Sequence, residues 1–199
     1  MISLFKRKKE ADKSELESQA MDDVTQTLLL PLENGSEKTD SQETDETEVS
    51  SYMSVGTRKN QQDSVRYQKN SSCTVCVVCD GMGGLSGGER ASAIAAQGMV
   101  QYLLENEQST DIPTEMGRAA LRLNEKIKDL RDCENRRIEA GTTLTAVFIR
   151  SGELYWCGIG DSHIYLYRDG ILRQLNIDHN FGVQLDQMVQ EGSITAEEA

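Results

Sequence analysis

The sequence predicts an α+β domain, an antiparallel sheet with helices packed around it, behind an acidic N-terminal segment without structure of its own. Three observations predict it. Strand-like runs recur between residues 72 and 175 and are joined by tight turn signals at Ser151-Gly152 and Asp169-Gly170. Two stretches with helical apolar spacing stand together between the first strand and the later ones, rather than alternating with strands. Residues 1–50 carry 13 acidic and 6 basic side chains, and Phe5 is their only aromatic. Such a chain cannot bury enough apolar surface to offset the entropy of ordering it. The expected organisation is therefore a disordered, Ser/Thr-rich tail over 1–50 and one domain over 51–199.

Each element has its own local reason. Ser72 to Cys79 is a β-branched, apolar run and reads as a buried strand. Glu89 to about Glu105 reads as a helix with Ile94, Gly98, Tyr102 and neighbouring alanines on one face, small enough to pack closely on a sheet. Pro113 suits the first turn of a second helix, whose apolar positions Met116, Ala120, Leu123, Ile127 and Leu130 recur at helical spacing. Strands follow over Thr142–Arg150, Glu153–Gly158, Ser162–Arg168 and Ile171–Leu175, forming an antiparallel meander. Thr195-Ala196-Glu197-Glu198 has the pattern of a capping box, which begins a helix, yet only Ala199 follows.

Charge and cysteine usage narrow the function. The net charge is −12, and residues 51–199 hold 20 acidic against 15 basic side chains, which argues against a nucleic-acid partner. No apolar stretch reaches the length of a membrane span, and the run Lys6-Arg7-Lys8-Lys9 reads as a solvated terminus. Five cysteines and no secretory signal suggest a reduced, cytoplasmic protein. Cys73, Cys76 and Cys79 have the spacing of an iron–sulfur run. On a strand, however, Cys73 and Cys79 face one way and Cys76 the other, so three thiolates cannot converge. They read as small core residues.

The most informative run is Asp80-Gly81-Met82-Gly83-Gly84, placed between the first strand and the first helix. A carboxylate at the end of a buried strand is held rigidly, and the glycines let the backbone turn sharply against a ligand. Hard cations such as Mg²⁺ and Mn²⁺ take this mixture of carboxylate, carbonyl and water oxygen. Upstream lies Gly56-Thr57-Arg58-Lys59-Asn60-Gln61-Gln62-Asp63. Downstream come Gly141-Thr142-Thr143, then Gly160-Asp161-Ser162, then Asp178-His179-Asn180.

These motifs, in this order from about Met53 to Ala199, resemble the metal-dependent protein phosphatases of the PPM family, type 2C, in the form of its bacterial branch. The resemblance implies a central antiparallel β-sandwich flanked by helices, with the metal site at one end. It implies hydrolysis of phosphoserine and phosphothreonine in proteins by a water bridging two Mn²⁺ or Mg²⁺ ions, with a third, weaker ion in relatives. On that reading Asp80 bridges the metals, the Gly81 carbonyl is a neighbouring ligand, and Asp63 helps to hold the cluster. Arg58 would be the catalytic contact that grips phosphate, and Asp161 would contribute to the third ion. Asp161 reads equally as an ordinary turn residue, and Asp63 is partly structural in the family.

The departures are also specific. Gln62 stands where many relatives have Glu, and adds no charge. Met82 cannot donate the proton that His supplies in some relatives. His163 replaces a common Arg, and neither His163 nor His179 is assigned a catalytic role. Relatives continue beyond the position of Ala199 with further strands and two more aspartate ligands. The expectation is therefore a domain cut partway, inactive by itself, or alternatively a non-catalytic interaction protein that keeps part of the fold. The expected partners are phosphorylated proteins, including a Ser/Thr kinase and its substrates. In the tail, Asp22-Asp23 precede Thr25 and Thr27, with Leu28 and Leu30 each third after a threonine. This pattern resembles the phosphothreonine peptides bound by forkhead-associated domains; the alternative is an apolar patch in a solvated tail.

Overall fold

The computed structural model describes residues 25–29, 47–58, 60–83, 87–179 and 195. Its elements, in chain order, are β1 (Thr25–Leu29), β2 (Asp63–Lys69), β3 (Thr74–Met82), α1 (Gly87–Glu105), α2 (Ile112–Lys128), β4 (Gly141–Thr142), β5 (Leu144–Arg150), β6 (Glu153–Ile159), β7 (Tyr165–Arg168) and β8 (Ile171–Gln174). The main sheet runs β1-β6-β5-β3-β2, with β4 also on β3, and every pairing is antiparallel. β7 and β8 form a separate two-stranded sheet around the Asp169-Gly170 turn. The α+β class is as expected, and so are the hairpins β5–β6 and β7–β8, but the expected meander is broken: β6 pairs with β1 rather than with β7.

Alternation along β3 divides the sheet into two faces. Val75, Val77 and Cys79 are buried with the helices, while Cys76, Val78, Asp80 and Met82 occupy the other face. Cys73 and Cys79 are core residues and Cys76 is half-buried, as the strand argument requires. The core joins this face to Ala91, Ala95, Ala96, Met99 and Leu103 of α1 and to Met116, Leu123 and Ile127 of α2. Phe148 of β5 is fully buried in it and meets Tyr155 of β6 edge-on, with ring centroids 6.1 Å apart.

The helices begin for local reasons. At α2 the Asp111 carboxylate accepts from the Thr114 amide at 3.1 Å, and Pro113 occupies the first turn. Gly98 and Tyr102 do not lie on the sheet as expected; they face α2. A Cβ on Gly98 would stand 2.3 Å from Leu123 Cδ2, and the Tyr102 hydroxyl donates to Glu115 of α2 at 2.7 Å. Ala91, Ala95 and Ala96 are buried in the core.

Three further differences have physical causes. β2 was not foreseen; it is an edge strand whose last four residues are exposed, so it lacks an apolar run. Ser162 to Ile164 is not strand, because the side chain of Asn176 takes the partner's place. It accepts from the Ile164 amide at 2.7 Å and donates to the Ser162 carbonyl at 2.8 Å. Finally, residues 25–29 of the tail are not structureless. They form β1 in an unbroken ladder from Thr25 opposite Cys157 to Leu29 opposite Glu153. The rest of the expected tail up to residue 46, the Lys6–Lys9 run included, lies outside the described residues. So do Lys59, Gly84, Asn180 and all of the capping-box pattern except Thr195.

Candidate metal centre

The two aspartates singled out from the motifs stand directly opposite each other. β2 begins at Asp63 and pairs with β3 so that Asp63 faces Asp80, the pairing running on to Lys69 opposite Thr74. Directly opposed residues in an antiparallel pair put their side chains on the same face, and like charges there repel. Burial pushes the Asp80 carboxyl above the usual aspartate range. The facing Asp63 adds to the rise, the nearby Arg58 guanidinium works against it, and Asp161 adds slightly. Arg58 itself is exposed, on a turn closed by its amide to the Val55 carbonyl at 3.2 Å, with Gly56 at φ +58°. A left-handed residue at that point favours glycine.

The backbone of Asp80 is fixed by Thr142 and Thr143. The Asp80 amide donates to Thr143 Oγ1 at 2.9 Å, while its carbonyl accepts from the Thr143 amide at 2.9 Å and from the Thr142 hydroxyl at 3.0 Å. Both threonines are buried, and Thr143 Oγ1 lies 2.7 Å from Ser162 Oγ, which ties this point to the Gly160-Asp161-Ser162 turn. The strand expected over Thr142–Arg150 is in effect present. Gly81 opposite Thr142 and Val78 opposite Thr145 belong to one register, and only Thr143 interrupts it.

On the helix side the packing is tighter still. The Gly81 amide donates to the Gln62 carbonyl at 3.1 Å, and the same carbonyl accepts from the Ser92 hydroxyl of α1 at 2.6 Å. A Cβ on Gly81 would stand 2.1 Å from the Gly88 carbonyl oxygen, and one on Gly88 would stand 3.0 Å from the Gly81 oxygen. The start of α1 and the end of β3 therefore meet backbone to backbone, which only a glycine pair allows. Gln62 Nε2 donates to the Gly83 carbonyl at 3.2 Å, a bond made by the amide that stands in place of a Glu.

Asp63, Asp80, Gly81, Asp161 and Arg58 thus come to one end of the main sheet, with Asp161 exposed at its margin. Asp178 is engaged elsewhere, 3.0 Å from His163 Nε2 and accepting from Gln174 Nε2 at 2.9 Å. Among the described residues, no three His, Cys, Asp or Glu side chains gather into a group able to hold a metal ion. The opposed pair still fits a hard cation, since strand register forces two carboxylates together and, among the described residues, Arg58 is the positive group that acts on Asp80. Thr142, Thr143 and Ser92 were not foreseen as positioning residues. The Gly-Thr-Thr motif marks two of them, but their bonds to Asp80 depend on which strand lies beside β3.

Known proteins resemble this chain in sequence and in fold. The family model described as protein phosphatase 2C matches residues 52–188. The serine/threonine protein phosphatase PstP of Mycobacterium tuberculosis is 34% identical over 142 residues, covering 71% of this chain and 26% of PstP. A putative protein phosphatase 2C-type of Streptococcus pyogenes is 33% identical over 150 residues, 71% of this chain and 57% of that protein. A crystal structure of the PstP catalytic domain in complex with two manganese ions superposes with a TM-score of 0.55 at 34% identity, covering 71% of this chain and 58% of that one. The chain thus spans between a quarter and three fifths of the length of these relatives. With a family match over most of its length and with the motif aspartates brought together on adjacent strands, the chain belongs to the protein phosphatase 2C family.

Proposed function

We propose that this chain supplies part of a metal-dependent centre that hydrolyses phosphoserine and phosphothreonine in proteins. The observation that carries the proposal is the register that sets Asp63 against Asp80, with the Arg58 guanidinium close enough to act on Asp80. Asp80 and Asp63, with the Gly81 carbonyl, would hold Mn²⁺ or Mg²⁺, and Asp161 would serve a further ion. Bound there, a pair of such ions supplies an activated water and neutralises the phosphoryl oxygens. The chain's own residues do the rest. Thr142 and Thr143 keep Asp80 in place, the Gly81–Gly88 contact fixes the floor of the site, and Arg58 receives the phosphate with its planar fork. Manganese in the PstP complex supports this choice of ion. Phosphorylated proteins are the proposed partners, and a cytoplasmic location follows if the cysteines are kept reduced. No helix among the described residues is long and apolar enough to cross a membrane.

Arg58→Ala in the full-length protein tests the role of the guanidinium. The expected result is a raised KM for a phosphothreonine peptide or weaker inhibition by inorganic phosphate. The melting temperature should hardly change, because an exposed charge contributes about 0–1 kcal/mol to folding. If the variant unfolds, Arg58 is structural and the phosphate contact is wrong.

The lack of a three-ligand group among the described residues favours a second reading, an interaction protein that retains the fold. Absence of any Mn²⁺ binding by calorimetry would select it. The tail proposal also stands: with Thr25 or Thr27 phosphorylated, a 20–34 peptide should bind a forkhead-associated domain and its unmodified form should not. Equal binding of both forms, or of neither, removes it.

A further inference from the structure

An edge strand with unpaired amides and carbonyls is a template for another strand. β6 would be such an edge. Its residues Tyr155, Trp156, Cys157 and Gly158 are all buried, so it is not a short, polar strand of the kind that resists pairing. β1 covers five of its seven residues in one antiparallel register, and α2 runs beside both strands. The sequence of the covering segment suits the role. From Val24 to Leu32 there is no charged residue, although Asp22-Asp23 precede it and Glu33 follows. Pro31, two residues past the end of β1, has no amide hydrogen to donate to a ladder.

We propose that the outer edge of β6 is a strand-docking site and that residues 25–29 of the same chain are its reversible occupant. Recognition is by backbone hydrogen bonds, as in β-augmentation, and it selects an extended, uncharged segment. The connection from Leu29 to Asp63 spans up to about 100 Å when extended, so a second copy can also reach the edge. Tethering decides for the same chain: a covalently linked segment is held at an effective concentration of up to about millimolar, above that of any other copy in solution. The proposal is independent of the phosphatase reading, since the docked edge belongs to β6 and the carboxylates to β2 and β3.

Two measurements test it. In the 199-residue chain, amides of Thr25–Leu29 should exchange with deuterium at least about 100-fold more slowly than in a free 22–34 peptide. Exchange at the free-peptide rate overturns the proposal, and this readout needs no variant. In Gln26→Pro/Thr27→Pro, which removes a donor of each parity in the ladder, protection of 153–157 should fall while that of β3 and α1 remains. The fluorescent 22–34 peptide should then bind the variant at least about tenfold more tightly than the parent, because its edge is vacant. Equal affinity for both, or none for the variant, overturns the docking site. A parent dimer that the double substitution dissolves overturns occupation within one chain.

Discussion

Asp80→Asn is expected to abolish Mn²⁺-dependent hydrolysis of a phosphothreonine peptide by the full-length protein. Asparagine keeps the size and the hydrogen-bonding shape of the side chain but removes the charge that a cation cluster can least replace. Activity above about a tenth of the parent's, about 1.4 kcal/mol of barrier, would take Asp80 out of the centre. The same substitution separates function from folding. Burial and the facing Asp63 raise the Asp80 pKa in the folded chain. A carboxyl raised in this way contributes stability below its unfolded-state pKa, and that contribution is lost as pH rises through the folded-state value. At neutral pH the ionised Asp80 is thus unfavourable without a cation, and asparagine imitates its protonated form. The cation-free variant should melt no lower than the parent, while calorimetry shows weaker Mn²⁺ binding. A variant that loses both stability and activity would mean that Asp80 holds the fold rather than the ion.

Gly81→Ala is expected to be the most destabilising small change in the chain. The new methyl would sit 2.1 Å from the Gly88 oxygen and 2.6 Å from the Gln62 oxygen, and both obstacles are backbone. Relief requires moving the first turn of α1 away from β3, so a cost of about 3–5 kcal/mol is expected, a large part of a domain's stability. Gly98→Ala is the informative contrast. Its methyl would come within 2.3 Å of Leu123, nominally as bad, but that atom is the end of a flexible side chain. Alanine also recovers about 1 kcal/mol of helix propensity over glycine, so the net change should be within about 1 kcal/mol. Urea denaturation of the two variants checks the order. A Gly81→Ala protein as stable as Gly98→Ala would show that the helix and the strand end are not locked together.

These two residues illustrate how far the sequence carries. Asp80 and Gly81 were legible as lying near a strand end, from the Val75–Cys79 run and the glycines, although β3 runs on through them to Met82 rather than turning there. Their partners were not. That Asp63 faces Asp80, or that Thr143 takes both backbone groups of Asp80, is a matter of register between segments far apart in the chain. The helices were legible from spacing, and the hairpin at Asp169-Gly170 from its turn residues. β2 was not, since only Val65 and Tyr67 among its seven residues are apolar. β1 escaped for a different reason. Composition averaged over the acidic tail concealed an uncharged segment too short to fold by itself, which is ordered only by an edge some 130 residues away.

The placement of the five thiols gives the molecule a built-in record of its own opening. Burial pushes Cys73, Cys79 and Cys157 up to about 12 and raises Cys76 as well, and for Cys73 the hydrogen bond to Glu107 adds to the effect. Thiolate, the form that attacks, is thereby suppressed at the sheet. Cys133, between α2 and β4, is exposed. An alkylating reagent therefore meets the exposed Cys133 and the half-buried Cys76 on the closed molecule. Loss of the buried Cys73, Cys79 or Cys157 counts the occasions on which the core opened, so its rate becomes a clock for breathing of the sheet that carries Asp80.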